Sequence, residues 1–345
     1  MNVMPEVNTV KELSFDEWEF HWEQVTKANM LQSWQYGSAK EEAEGWRVFR
    51  FLFSDNKGLP VAIAQILTRS FPLLGSIARL NRGPLLLDKF PEDQNTERIL
   101  EVIREILNEA KRRRWWIIQI APELTENEKV LIGLTQMGLR KQPTPSWASG
   151  RLSLCKDENS LLMSLDGKWR NLLRKGERLG VEVKHIDGTN VDPNRLMSGY
   201  MEFQQSKGFE GLNESLLRKM ISQNGKTWQF DIFISTSANS SDPNEQIGML
   251  VAVRHGDTET YLIGFTNDQG RQMQANSVML WHAILHAKAN GCEWFDIGGL
   301  SVTTPKGIAD FKKGLNAELY TLVGEFRGYL LPWRNFINNI LSVSI

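Results

Sequence analysis

One order of secondary structure is predicted twice along this chain of 345 residues. Alternating and continuous apolar runs predict a strand hairpin, a third strand, an amphipathic helix and a final buried strand. The predicted elements of the two copies lie, in order, at residues 47–53, 61–69, 77–80, 96–114 and 115–120, and at 228–235, 247–254, 260–265, 274–290 and 294–297. The repeat predicts an α/β (α+β) chain of two duplicated subdomains.

The length of the chain exceeds what one hydrophobic core usually supports, so it also predicts two domains. We place the first domain at residues 1–150 and the second at 151–320. We expect residues 321–345 to pack back on the first domain. Because no connecting segment is low in complexity, we expect the two domains to pack together and form a cleft. A capping box of Ser14 and Glu17 predicts that the first helix begins near residue 14.

Composition excludes several classes of protein. Hydrophobic residues make up 41% of the chain and charged residues 23%, which is typical of an ordered globular protein. The formal net charge of -1 means that any contact with nucleic acid must be local. Cys155 and Cys292 are the only cysteines, and they lie far apart and outside any CxxC spacing, so neither a disulfide framework nor a structural zinc site is indicated. With no secretory signal and no apolar run of about 20 residues, we expect a cytoplasmic protein.

Four stretches of the sequence resemble the Fem family of aminoacyltransferases. They are LQSWQYGSAKEEAEGW, KWRNLLRKGERLGVEV, YLIGFTNDQGRQMQANSVMLWHAILHAKANGCEWFDIGGL and GIADFKKGLNAELYTLVGEF. The resemblance implies two tandem GNAT-like domains, each a mixed central sheet flanked by helices. It also implies transfer of an amino acid from aminoacyl-tRNA to the stem peptide of a peptidoglycan precursor, UDP-MurNAc-pentapeptide or lipid II. Aminoacyl-tRNA is then a co-substrate, and no cofactor is implied.

The resemblance further implies residues that bind the acceptor. In the family a lysine in the segment matching residues 34–46 contacts the diphosphate of the precursor, and Lys40 stands there, with Trp34 and Tyr36 in the same segment. An arginine of the second domain assists it, and Lys207 replaces that arginine here. Lysine keeps the charge but loses the two-pronged geometry of a guanidinium.

Lysines near the end of the second domain are the candidate catalytic groups. In the family a lysine there stabilises the oxyanion, and the sequence offers Lys312 and Lys313. Alternation along the segment would direct only one of them into the cleft, and we favour Lys312.

The sequence offers fewer acidic than basic candidates for the active site. Alanine stands where the family often has an aspartate before Pro122, which leaves Glu123 as the possible substitute or no dedicated base at all. Asp296, at the end of the last predicted strand, could meet a substrate amine.

Cations on a helix predicted at residues 168–179 could bind tRNA phosphates. The alternative is a solvated helix face. These candidate residues are Lys168, Arg170, Arg174, Lys175 and Arg178.

The acyl donor separates the possible functions. Acetyl-CoA-dependent GNAT enzymes cradle the pyrophosphate in a glycine-rich loop at a helix N-terminus, but residues 271–276 read RQMQAN and lack the central glycine. This disfavours CoA. Two alternatives stay open: a GNAT-type N-acyltransferase in polysaccharide or cell-envelope biosynthesis, and a catalytically degenerate precursor-binding protein.

Two remaining features give weaker expectations. His282 and His286 share a helix face but lack a third ligand, so we predict no metal site. The last residues, 329–345, alternate apolar and polar residues. We expect them to dock on the protein itself, with peripheral contact with the inner face of the membrane as the alternative.

Overall fold

The computed structural model of the protein describes residues 6–72, 75–87, 92–188, 213–240, 242, 245–302 and 304–330. These residues form two compact units. Those up to residue 25, from 45 to 146 and from 321 onward belong to the first unit, and those from 26 to 44 and from 147 to 320 belong to the second. Residues 26–44 therefore lie in the second unit, although the predicted boundary at residue 150 assigned them to the first.

Each unit contains one mixed sheet, which confirms the predicted α/β class. The first sheet contains β1 (Val7–Glu12), β2 (Arg47–Asp55), β3 (Pro60–Phe71), β4 (Gly75–Asn81), β5 (Leu85–Leu86), β6 (Ile117–Ala121), β7 (Arg140–Lys141) and β15 (Phe326–Tyr329). The second contains β8 (Ala148–Ser153), β9 (Val181–Asp187), β10 (Trp228–Ser237), β11 (Gln246–His255), β12 (Thr258–Thr266), β13 (Trp294–Asp296) and β14 (Glu318–Thr321).

Ten α-helices lie among the described residues. They are α1 (Phe15–Trp22), α2 (Trp34–Glu44), α3 (Glu92–Arg112), α4 (Glu128–Gln136), α5 (Glu158–Ser164), α6 (Gly167–Arg178), α7 (Glu214–Ser222), α8 (Asp268–Gln272), α9 (Ala275–Ala289) and α10 (Lys306–Lys313). The predicted capping box is confirmed: the backbone N–H of Ser14 donates to Glu17 Oε2 at 3.0 Å. Among the described residues, no helix combines the length and the apolar character that crossing a bilayer requires.

The two sheets share one plan. In the first, β4 and β6 run parallel and α3 connects them. In the second, β12 and β13 run parallel and α8 and α9 connect them. Parallel neighbours need such a crossover, which explains why each predicted strand trio is followed by a helix and one more strand.

One strand of the first sheet comes from the end of the described chain. The first sheet has the order β1-β2-β3-β4-β6-β15-β7, with β5 paired to β3, and the second has the order β14-β8-β13-β12-β11-β10-β9. β8 follows β7 in the chain but lies between β13 and β14 of the second sheet. β15 follows β14 but lies between β6 and β7, so the first sheet contains a strand that follows all strands of the second sheet in the chain.

Helices cover both faces of the second sheet, and this explains where residues 26–44 belong. On one face Phe233, Leu250 and Ala252 pack in a core with residues of α6 and α9. On the other face, the alternate residues of the same strands pack with α2 and α7, including Tyr36 and Leu217. A strand buried on both faces is apolar at successive positions, as β10 is at residues 232–234 and β11 at residues 247–253.

Candidate active site

The parallel pair of the second sheet is short and opens into a cavity. β12 and β13 pair only through residues 258–260 and 294–296, and β13 ends at Asp296. β12 continues to Thr266 and changes register against β11 between Val251 and Ala252. Past residue 260, β12 therefore runs on without β13 beside it. A cavity of about 440 Å³ lies there, lined by residues that include Tyr261, Phe265, Gln274, Asn276 and Lys312.

Lys312 is a buried cation at the wall of this cavity. It lies in the last turn of α10, and only 7% of it is exposed. Its Nζ donates a hydrogen bond to the carbonyl oxygen of Gly299 at 3.1 Å and lies 4.9 Å from the centre of the Tyr261 ring. Burial lowers the pKa of Lys312 to about 8, while the negative charge of Asp296 opposes the shift. An amine with such a pKa changes its charge near neutral pH, as functional groups in clefts often do.

Asp296 is fixed by three hydrogen bonds. Its Oδ1 accepts from Ser149 Oγ at 2.6 Å and from the backbone N–H of Gly298 at 2.9 Å. Its Oδ2 accepts from the hydroxyl of Tyr320 at 2.7 Å. The carboxylate is therefore held in one orientation, and it holds in turn the chain segment that presents the Gly299 carbonyl to Lys312.

Gly298 allows the close approach around this site. Its φ of +72° belongs to the left-handed region that favours glycine. A Cβ added at this position would lie 2.5 Å from the carbonyl oxygen of Tyr261 and 3.2 Å from Lys312 Nζ. The residue therefore has to be glycine for both conformational and steric reasons.

Comparison with known proteins finds a family model that matches part of the chain. Residues 219–340 match the model of the FemAB family. The crystal structure of FemX aligns with 96% of this chain and 99% of its own, at a TM-score of 0.77 and 15% sequence identity. Residues 219–340 are thus similar to the FemAB family, and the chain as a whole shares the fold of FemX. Among curated proteins, none matches the sequence.

Further solved structures share the fold of this chain at lower similarity. A tandem GNAT protein from the clavulanic acid biosynthesis pathway aligns with 95% of this chain and 99% of its own, at a TM-score of 0.54 and 10% identity. L-PGS from Bacillus licheniformis aligns with 97% of each chain, at a TM-score of 0.50 and 12% identity. The two tandem GNAT-like domains that the resemblance implied are thus confirmed as the fold.

The structure separates the two candidate catalytic lysines by their exposure. Lys312 is buried against Gly299, whereas Lys313 is exposed. The expected alternation is wrong in its geometry, because Lys306–Lys313 is a helix and not a strand. Successive residues of a helix point about 100° apart, which still directs only one of the two inward.

The candidate acceptor-binding residues lie partly on α2. Lys40 is half-buried and its Nζ lies 2.5 Å from Glu44 Oε2, one helical turn away. Tyr36 is buried in the core, and Trp34 is half-buried at the start of the helix. Lys207 lies outside the described residues.

Glu123 lies in the first unit, two residues after the end of β6. Its carboxylate receives both prongs of the Arg82 guanidinium, at 2.7 and 2.8 Å. This bidentate ion pair occupies both oxygens of the group that was the candidate substitute for the missing aspartate.

The five candidate tRNA contacts differ in exposure. Arg170 is half-buried and its guanidinium donates to the carbonyl oxygens of Met163 and Leu165, so it braces the turn between α5 and α6. The other four are exposed on α6: Lys168, Arg174, Lys175 and Arg178.

The segment at the CoA position takes a left-handed turn without glycine. Gln274 is the N-cap of α9 and has a φ of +62°. Its side-chain Nε2 donates back to the carbonyl oxygen of Arg271 at 3.0 Å. A side chain therefore occupies the turn at which a pyrophosphate would approach the backbone.

Sequence reasoning missed the partners that hold the site together. Ser149, Tyr261 and Tyr320 contact Asp296 or Lys312 from distant parts of the chain. No local pattern marks them, because pairing of β8 with β13 brings Ser149 to Asp296.

Proposed function

We propose that this protein is an aminoacyltransferase that moves an amino acid from aminoacyl-tRNA to the stem peptide of a peptidoglycan precursor, UDP-MurNAc-pentapeptide or lipid II. The match of residues 219–340 to the FemAB family supports the class of reaction. The observation that carries the proposal is the buried ammonium of Lys312 at the wall of the cavity.

The reaction needs a positive charge of this kind. An amine of the acceptor attacks the ester carbonyl of the aminoacyl-tRNA, forms the new C–N bond and leaves a negatively charged oxygen on the tetrahedral intermediate. The C–O bond to the ribose then breaks, and the ribose oxygen takes a proton that the amine has lost. A preorganised donor can stabilise the intermediate by about 3 kcal/mol, and a buried ammonium is such a donor.

Other features support tRNA as the acyl carrier. Gln274 fills the turn at which CoA would be held, which disfavours a thioester carrier. The four exposed cations of α6 offer a face for phosphates. A reaction that uses aminoacyl-tRNA takes place in the cytoplasm, and lipid II as acceptor would bring the protein to the inner face of the membrane.

Diphosphate binding by Lys40 and Lys207 is the second part of the proposal. The ion pair between Lys40 and Glu44 joins neighbouring turns of one helix, and such pairs contribute only about 0.5 kcal/mol. A diphosphate with two negative groups can therefore displace Glu44 from Lys40 at little cost.

A transfer assay tests the proposal. Purified protein is incubated with a mixture of charged tRNAs and UDP-MurNAc-pentapeptide or lipid II, and the precursor is analysed by mass spectrometry. We expect a precursor extended by one amino acid. Lys312→Met should lower kcat at least a hundredfold, which corresponds to about 3 kcal/mol, and Lys313→Met should retain the wild-type rate. No extension with any charged tRNA, or saturable use of acetyl-CoA instead, would refute the assignment.

The pH dependence separates two roles of Lys312. Since its pKa is lowered to about 8, the side chain is cationic below that pH and neutral above it. If the ammonium stabilises the oxyanion, kcat falls as the pH rises through about 8. If the neutral amine acts as a base, kcat rises over the same range. We expect the fall, measured under single-turnover conditions with saturating substrates.

A further inference from the structure

Two histidines and an aspartate meet away from the cavity. His185 on β9, Asp231 on β10 and His286 on α9 place one potential ligand atom each within 4.8 Å of the other two. His185 Nε2 lies 2.7 Å from Asp231 Oδ1, and His286 Nδ1 lies 3.7 Å from the same oxygen. The two imidazole rings are 4.0 Å apart between centroids.

The carboxylate of this cluster is short of positive partners. The Asp231 side chain is 1% exposed. Its Oδ2 has no hydrogen-bond partner among the described residues. A buried carboxylate is costly unless it is paired or coordinates a metal.

A second acid is buried in the same sheet, within electrostatic reach of Asp231. Glu259, on β12 of the same sheet, is fully buried, and both its carboxylate oxygens lack hydrogen-bond partners within the described part of the chain. Burial and the negative charge of Asp231 raise the pKa of Glu259 well above its ordinary value. The guanidinium of Arg254 donates to Gln229 Oε1 and acts on Glu259 only through its field.

We infer that His185, Asp231 and His286 form a binding site for a divalent transition-metal ion of the Zn²⁺ class. Two imidazoles and one carboxylate are ligands that Zn²⁺ prefers, and three protein ligands leave a fourth tetrahedral position open. The histidine side chains are 32% and 24% exposed, so this open position faces solvent. The ion would supply the positive charge that Asp231 lacks.

The site is distinct from the candidate active site. His286 comes ten residues after Asn276, which lines the cavity, and this separates them by about 15 Å along α9. An ion held there would tie the outermost strand β9 to α9 and would not touch the substrate. His282, the other histidine of the pair for which we predicted no metal site, is exposed one turn earlier and does not join the cluster.

Metal titration of the full-length protein tests the inference. The background is Cys155→Ser, which removes the exposed thiol as an adventitious ligand. We expect one equivalent of Co²⁺ to bind and give the visible absorption of a four-coordinate ion, and one equivalent of Zn²⁺ to displace it and raise Tm above that in EDTA. His185→Ala and His286→Ala should each weaken Zn²⁺ binding at least tenfold and abolish the rise in Tm. His282→Ala should bind as the background protein does.

Two results would overturn the inference. The first is less than one equivalent of Co²⁺ bound by the background protein at a twofold excess of metal. The second is an unchanged affinity in both His185→Ala and His286→Ala, with circular dichroism showing that they are folded. Asp231→Asn is a further check, since it keeps the size of the side chain and removes the charge. Zn²⁺ binding that survives this change would also count against the site.

Discussion

Lys312 carries its charge in surroundings that disfavour that charge. The difference between the ordinary pKa of 10.5 and about 8 corresponds to a free-energy cost on the order of 3 kcal/mol for the protonated form. The hydrogen bond to Gly299 and the negative charge of Asp296 offset part of the burial. A group that is kept at such a cost is typical of a functional site, where activity and stability conflict.

Replacing Lys312 with methionine should therefore stabilise the fold. Because the folded-state pKa lies below the unfolded value, wild-type stability rises as the pH increases from about 8 to about 10.5. We expect Lys312→Met to raise the free energy of unfolding by about 2 kcal/mol at pH 7, after allowance for the lost hydrogen bond. The gain should shrink at pH 10. Urea unfolding of the variant and the wild type at pH 7 and at pH 10 measures this gain in stability. A variant no more stable than the wild type at pH 7 would show that the ammonium is well solvated.

The turn after β13 gives rise to a second prediction about a single residue, Gly298. Gly298→Ala adds a Cβ 2.5 Å from the Tyr261 carbonyl oxygen at a φ of +72°, and should cost about 2 kcal/mol or more of stability. Gly291→Ala is the matched control, because φ is +82° there and the added Cβ meets nothing within 4 Å. The control should cost only about 1 kcal/mol. Equal losses in thermal unfolding of the two variants would contradict the steric argument.

Single residues were only partly predictable from the sequence. Asp296 and Lys312 stood out because one ends a strand and the other lies in a motif that resembles the Fem family. Their partners Ser149 and Tyr320 did not, since the contacts join residues far apart in sequence. The buried pairing of His185 with Asp231 was missed for the same reason.

At the scale of elements, α6 presents four exposed cations and one structural arginine. Asp166 caps its N-terminus by accepting from the backbone N–H of Lys168 at 2.8 Å, and Trp169 and Leu173 bury its other face. The helix would therefore keep its position if its exposed charges were removed.

Neutralising this face should weaken RNA binding if α6 contacts tRNA. We expect a Lys168→Gln, Arg174→Gln, Lys175→Gln variant to bind charged tRNA at least tenfold more weakly. Each lost phosphate contact lowers the slope of log affinity against log salt concentration by roughly 0.7–0.9. The slope should therefore become shallower by about 2 in this variant.

The control for α6 removes the same number of exposed cations from the first unit, as Lys111→Gln, Arg112→Gln, Arg114→Gln. It should bind tRNA as the wild type does in filter-binding assays. If both variants lose affinity equally, the effect belongs to total charge and not to α6.

The order of elements was largely predictable, because apolar periodicity reports local structure directly. All ten elements of the two predicted copies are found, with ends that differ by a few residues. The placement of α2 was not predictable. Its sequence precedes β2 of the first sheet, yet Tyr36 and Ala39 pack against Leu216 and Leu217 of α7. Periodicity shows that a helix has an apolar side but does not show which core receives it.

At the scale of the whole molecule, β15 links the end of the described chain to the first sheet. Phe326 on β15 is fully buried in the core of the first unit, with residues such as Phe51, Ile103 and Ile118. The first unit therefore depends on a residue that follows the entire second unit in the chain.

Phe326→Ala should destabilise the first unit at a distance in sequence. Truncating a buried phenylalanine typically lowers the free energy of unfolding by about 3–5 kcal/mol, and we expect a loss of about 4 kcal/mol here. Hydrogen exchange should accelerate in β6, which pairs with β15, and not in β10 of the second sheet. Tyr329→Ala, on the same strand but exposed, is the control and should change neither rate. Unchanged protection of β6 in Phe326→Ala would show that β15 is dispensable.

The position of β15 has a consequence for synthesis on the ribosome. The strand that bridges β6 and β7 is translated almost 200 residues after them, so a nascent first sheet stays open along β6 while the whole second sheet is made. Its sequence there, IIQIA, is apolar, and an unpaired apolar edge attracts other strands. The cell must therefore protect that edge, by chaperones or by rapid elongation, until the last strand emerges and fills it.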